Sequence, residues 1–387
     1  MTKWRRRRMS RARFHDRHVL QHAAEDVDRD GSRLHHVHEL LQRLLVGVPL
    51  EDHRAAASAC VAFRDVINGP KFLALRRQYG FAERGVVLLQ TRAISGTSLK
   101  IRAARKNGDV SLPTICSHPS TTDGGSRLFI SSLELVPNQR ERIMAVDVSS
   151  CRWKCVTALP MVFRENSLPG HCMEWHGGLL YVAGGRDNED NYTLVANGQS
   201  AHNSLHVFNE TTDSWEELPP MPHATAFAAS GVIGNELFVA GGRVWHTING
   251  TGHAEDLSTL QIYDFTTRTW RLGPPLPRRR CGACGIVVDG KLYLVSSKLS
   301  DIYYDGQSST MVYDVQSNTW TELPDPPLGR FCAETLHAFA HNGSIVVVYA
   351  NGTAFHRGTG SDPDWYPFDL GVTSGPDHGV AESVILG

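Results

Sequence analysis

The chain has 387 residues, a formal net charge of −1 and 41% hydrophobic residues. That is enough for one large core with a small domain beside it, and the near-zero charge argues against general nucleic-acid binding, so no nucleic-acid partner is expected. No run approaches the roughly 18 uninterrupted apolar residues that a membrane-spanning helix requires, so no membrane partner is expected either.

In chain order, residues 1–33 come first. The basic stretch Lys3 to Arg13 has no apolar run behind it, so it reads as a disordered tail or a nuclear address and not as a secretory signal. Asp16 to Ser32 is charged and free of aromatics, which suits a linker. The expected compartment is the cytoplasm and/or nucleus, where the eight cysteines should mostly be thiols.

Residues 34–82 follow a different pattern. Leu40, Leu41, Leu44 and Leu45 recur at helical spacing, Val48-Pro49 ends that helix, and Cys60, Phe63, Val66 and Ile67 mark a second. Gly69-Pro70 breaks the chain, and Phe72, Leu75 and Tyr79 mark a short third. Glu39-Leu40-Leu41, Val48-Pro49-Leu50, Cys60 to Arg64 and Pro70 to Arg76 together resemble the F-box motif. His36-Val37 stand where that motif usually opens with Leu-Pro. The resemblance implies a surface for a Skp-type adaptor, lined by Leu40, Leu41, Leu44, Val48, Pro49 and Phe63.

Residues 83–387 read as β structure throughout. Leu179-Leu180-Tyr181-Val182-Ala183-Gly184-Gly185-Arg186 returns as Glu236-Leu237-Phe238-Val239-Ala240-Gly241-Gly242-Arg243, and again as Lys291 to Ser297 with serines replacing the glycines. Each copy precedes an apolar run ending in an acid or amide, then a Trp (Trp215, Trp270, Trp320), then Leu-Pro. Arg127 to Pro160 is a further copy without the glycine pair. Val86 to Leu89 with Ser98 to Ile101, and Leu336 to Leu370, are more degraded ones. A repeat of roughly fifty residues built from short alternating strands resembles the kelch family. It implies a kelch-type β-propeller of about six blades, mainly β in class, behind a small α-helical domain. Each Trp is expected to pack between adjacent blades. The apolar run Ser383 to Leu386 is expected to complete a sheet begun near Val86.

With both halves in hand, the chain resembles the plant-type F-box/kelch-repeat proteins. That resemblance implies a substrate receptor of a Skp–cullin–F-box ubiquitin ligase, whose F-box docks the adaptor while its propeller holds an unknown target protein. The partners expected are the Skp-type adaptor, the cullin and that target. No enzymatic activity, catalytic residue, metal or cofactor is implied.

Loops after the glycine pairs and loops joining the blades should share one face, because alternate connections of an antiparallel sheet lie at the same end. That face would bring together Arg186, Arg243, Trp245, His246, Arg279, Arg330 and Phe331 as a target-binding surface, suited to an acidic or phosphorylated segment. Cys281-Gly282-Ala283-Cys284 has the spacing of a redox or zinc half-site, yet it falls where an innermost strand should begin and has no second pair. Two other readings stay open: an interaction scaffold without a ligase role, and a kelch-type metal-dependent enzyme.

Overall fold

A computed structural model of the chain describes residues 41–42, 45, 56, 58, 61–67, 72, 75, 84–90, 100–103, 115–123, 127–133, 141–147, 152–160, 170–186, 201–248, 251–296, 310–327, 337–349, 353–360, 364–368 and 378–385. It divides into two compact units, Met1–Glu83 and Arg84–Leu386.

In the first unit, helix α1 (Val61–Ile67) buries Phe63 and Val66, three apart on one face. They close a core with Leu41, Leu45 and Phe72, against which Ala56, Ile67 and Leu75 pack. Val61 on the same helix is 60% exposed. Among the described residues no helix is long and apolar enough to cross a membrane.

The second unit opens with an antiparallel pair, β1 (Arg84–Gln90) and β2 (Lys100–Ala103). Five four-stranded antiparallel blades follow. The first consists of β3 (Ile115–Thr122), β4 (Arg127–Leu133), β5 (Arg142–Asp147) and β6 (Arg152–Ala158). The second consists of β7 (His171–His176), β8 (Leu179–Gly184), β9 (Leu205–Asn209) and β10 (Ser214–Leu218). The third begins with β11 (Ala229–Ile233) and β12 (Glu236–Ala240). It is interrupted by a separate hairpin, β13 (Arg243–Ile248) and β14 (Thr251–Asp256), and resumes as β15 (Leu260–Asp264) and β16 (Thr269–Leu272). The fourth contains β17 (Ala283–Val288), β18 (Lys291–Ser296), β19 (Thr310–Asp314) and β20 (Thr319–Leu323). The fifth contains β21 (His337–His341), β22 (Ser344–Val348), β23 (Ala354–Gly358) and β24 (Tyr366–Pro367). Strand β25 (His378–Ile385) then returns to pair with β1, setting Arg84 opposite Ile385 and Val86 opposite Ser383. The sixth sheet, β2-β1-β25, is therefore three-stranded among the described residues and joins both ends of the unit, as the apolar run near Ser383 led us to expect.

The inner strands β3, β7, β11, β17, β21 and β25 succeed one another as neighbours, with β25 between β21 and β3, so the sheets close into a propeller. Its core lies between blades. One cluster joins Phe129, Ile143 and Leu159 to Met173, Leu180 and Phe208; the next joins Leu205, Val207 and Met221 to Leu237, Val239 and Tyr263. This placement follows from alternation, since each strand turns one set of side chains to either neighbour. The repeated tryptophans stitch the blades together. Trp270 Nε1 donates to the Pro219 carbonyl (2.8 Å), Trp320 to Pro274 (3.0 Å), Trp365 to Pro324 (3.0 Å) and Trp215 to Ala158 (3.0 Å), each reaching into the preceding blade.

A candidate recognition face

The two faces of the ring are defined by hydrogen bonds between connections. At one end, Phe265 N donates to the Asn235 carbonyl (3.1 Å), tying the β15–β16 turn to the β11–β12 turn. At the other end, Gly185 N donates to the Thr225 carbonyl (2.9 Å) and Gly242 N to the Arg280 carbonyl (2.6 Å), so the glycine pairs meet the loops that join blades. Both glycine pairs lie at positive φ, Gly241 at 67° and Gly242 at 97°, where an L side chain is strained. The two sets of loops thus share a face, as the topology requires.

Five of the expected target-binding residues come together there. The Arg186 guanidinium sits over the Trp245 indole, 4.8 Å from the ring centroid. Arg243, facing Asp256 across the hairpin, donates through Nε to Asp256 Oδ1 at 2.6 Å. That hydrogen bond raises the Arg243 pKa against the opposing effect of burial. Arg279 pairs with Glu255 and also donates to the Asp256 carbonyl (3.2 Å), while His246 Nε2 lies 3.5 Å from the second Glu255 oxygen. Arg279, and to a smaller degree His246, hold the Glu255 carboxyl below its ordinary range. Arg330 and Phe331 lie outside the described residues.

Three features of the face were not anticipated. Arg243 to Asp256, read as a loop, is a regular hairpin, and its sequence signal was Asn249-Gly250 between the two strands. Glu255 and Asp256 occupy the charges of two arginines expected to be available to a ligand. Phe227 is 38% exposed, takes φ 56° and stands edge-on to Trp245 with centroids 6.2 Å apart. Nothing in Thr225-Ala226-Phe227-Ala228 announces that backbone conformation.

In the helical unit, Leu41 and Phe63 are enclosed by the unit's own core, because short helices have few other apolar side chains with which to close it. Leu40, Leu44, Val48 and Pro49 lie outside the described residues. Cys281, two residues before β17, and Cys284, its second residue, are both reduced cysteines outside any disulfide. Burial, reinforced by Asp256, pushes the Cys281 thiol up to about 12, with Arg243 opposing, so it is protonated and poorly nucleophilic at neutral pH. Among the described residues no group of three or more His, Cys, Asp or Glu could hold a metal ion.

Residues 134–351 match the family described as the KLHDC2/KLHL20/DRC7 Kelch-repeats domain. The chain is similar to Kelch-like protein 34 of Homo sapiens, 29% identical over 50% of this chain and 36% of that protein. It is also similar to two F-box/kelch-repeat proteins of Arabidopsis thaliana. One is 26% identical over 53% of this chain and 60% of its own length; the other is 22% identical over 79% and 68%. The chain spans about a quarter to a third of the kelch-like relatives Kelch-like protein 34 and Kelch-like protein terF.

Proposed function

The chain belongs to the kelch-repeat family, and on that premise we propose that it is the substrate-recognition subunit of a Skp–cullin–F-box ubiquitin ligase. The observation that carries the reading is its division into a small helical unit with its own apolar core and a propeller bearing a cationic and aromatic cluster at one end. A ring of interlocked blades gives loops a rigid platform, and clustered Arg, Trp and Phe are the residue types that carry most interface energy. Similarity to two F-box/kelch-repeat proteins supports the adaptor half. The propeller captures the target protein through Arg186, Arg243, Trp245, His246 and Arg279, with Arg330 and Phe331 from the following junction. The helical unit docks the Skp-type adaptor through Leu40, Leu44, Val48 and Pro49, while Leu41 and Phe63 shape that surface from inside. Ubiquitin transfer itself belongs to other subunits, and the chain works without a cofactor in the cytoplasm or nucleus.

Deleting residues 1–79 should abolish co-purification with adaptor and cullin while the propeller keeps its β-type circular dichroism. Undiminished adaptor recovery would overturn the F-box half of the proposal. Failure of the intact chain to recover either subunit would leave the propeller as an interaction scaffold without a ligase role.

A further inference from the structure

Arg243 and Arg279 are neutralised within the face, by Asp256 and Glu255 respectively. Arg186 is different. Among the described residues no carboxylate pairs with it, and its buried Nε has no hydrogen-bond partner. A guanidinium stacked on an indole has its flat face satisfied, but its donors point outward in the ring plane, the geometry that a carboxylate matches. The Nε itself is enclosed, but Arg186 as a whole is partly exposed, so a ligand carboxylate can pair with the accessible part of its guanidinium.

Beside this cation stands an apolar wall. Phe227 is pinned on both sides of its peptide: its N donates to the Gly170 carbonyl (2.7 Å) and its own carbonyl accepts from Gly282 N (2.8 Å). A positive φ is uncommon for a bulky residue and persists only where the surroundings impose it. Here it holds a ring 38% exposed against the Trp245 edge.

We propose that Arg186, Trp245 and Phe227 form a subsite for a single side-chain carboxylate carried next to an apolar side chain in an extended segment of the target. This rests on the reading of this face as the target-binding surface. One cation that has no counter-charge among the described residues matches one negative charge. A phosphate or an acidic cluster would bring further negative charge towards Glu255 and Asp256, where it would be repelled. The aromatic pair supplies burial for the apolar neighbour, and the wall excludes water from the ion pair, which strengthens it.

The test pans a random linear peptide library against the full chain and measures the enriched peptides, made with amidated ends, by fluorescence anisotropy. Enriched sequences should carry one Asp or Glu adjacent to an apolar residue. Replacing that acid with its amide, or Arg186→Gln in the protein, should weaken binding about tenfold or more, as for loss of a charge-assisted hydrogen bond. Phe227→Gly, which tolerates the positive φ, should weaken binding chiefly for peptides that keep the apolar neighbour. Thermal melts check that each variant is folded, and the peptide-side change needs no protein variant at all. The subsite is overturned if no such motif is enriched, if phosphoserine in place of the acid binds more tightly, or if Arg186→Gln changes nothing. Replacing residues 244–255 with a short Gly-Ser link separates the two levels. Peptides that survive Arg186→Gln but not this replacement disprove the subsite and keep the face; peptides that survive both disprove the face as well.

Discussion

Gly241 and Gly177 both lie at positive φ, 67° and 58°, yet they should respond very differently to alanine. A Cβ at Gly177 meets nothing within 4 Å, whereas one at Gly241 comes within 2.6 Å of the Arg280 carbonyl, the group that also accepts from Gly242 N. Gly177→Ala should cost about 1–2 kcal/mol, the ordinary penalty of the left-handed region. Gly241→Ala adds displacement of a backbone hydrogen bond, for a total of about 3 kcal/mol. Urea denaturation of the two variants checks this, and equal losses would contradict it. Glu174 offers a second test at this scale. It lies on β7 and accepts from Ser230 Oγ on the neighbouring inner strand at 2.7 Å. Burial pushes its carboxyl up to about 7 from 4.5, with the Ser230 hydrogen bond opposing. The folded form therefore holds its proton more tightly than the unfolded form does. Its contribution is complete below 4.5, declines as pH rises to about 7 and is constant beyond. Glu174→Gln retains an acceptor for Ser230 and should flatten the fall in stability across that window. An unchanged pH profile for this variant would show that Glu174 is not its source.

Among the elements, Trp320 and Trp153 occupy equivalent last strands but differ in what they reach. Trp320 packs on Tyr313 with centroids 5.1 Å apart and hydrogen-bonds the Pro274 carbonyl of the preceding blade. Trp153 is 39% exposed, and no hydrogen bond of its indole is found among the described residues. Trp320→Phe, which keeps a ring but loses the N–H, should cost about 1 kcal/mol, and Trp153→Phe should be close to neutral. Equal shifts in melting temperature would disprove the inter-blade role. The same contrast explains what could be read from the sequence. Blades with an apolar second strand, a glycine pair and a tryptophan were legible because three independent constraints coincide in each. Strand β3 was not legible, since Cys116-Ser117-His118-Pro119-Ser120 has neither alternation nor a full set of amide donors, and its register shifts between Ser117 and Ser120. On the candidate recognition face, the convergence of Arg186, Arg243 and Arg279 followed from topology alone. Their partners did not, because which carboxylate meets which arginine depends on the hairpin's register, where Arg243 falls opposite Asp256.

For the molecule as a whole, closure depends on β25, whose backbone pairs with β1 from Arg84↔Ile385 to Gln90↔His378 and whose neighbours are β21 and β3. Deleting residues 378–385 would leave β1 with an unpaired edge and both flanking blades without a neighbour, so the melting temperature should fall markedly or the protein should aggregate. An unshifted melt would mean that the ring does not need this strand. The pairing also sets a timetable. Strand β1 leaves the ribosome first among the strands of the unit, and its partner is made only after all five complete blades, so at ordinary synthesis rates it waits for tens of seconds. During that interval β1 keeps an unpaired backbone edge, and the blades at the two ends of the open arc present apolar side-chain faces that a neighbour would cover. Protecting that edge and those faces during synthesis, by a chaperone or by slow release, should therefore raise the yield of this protein.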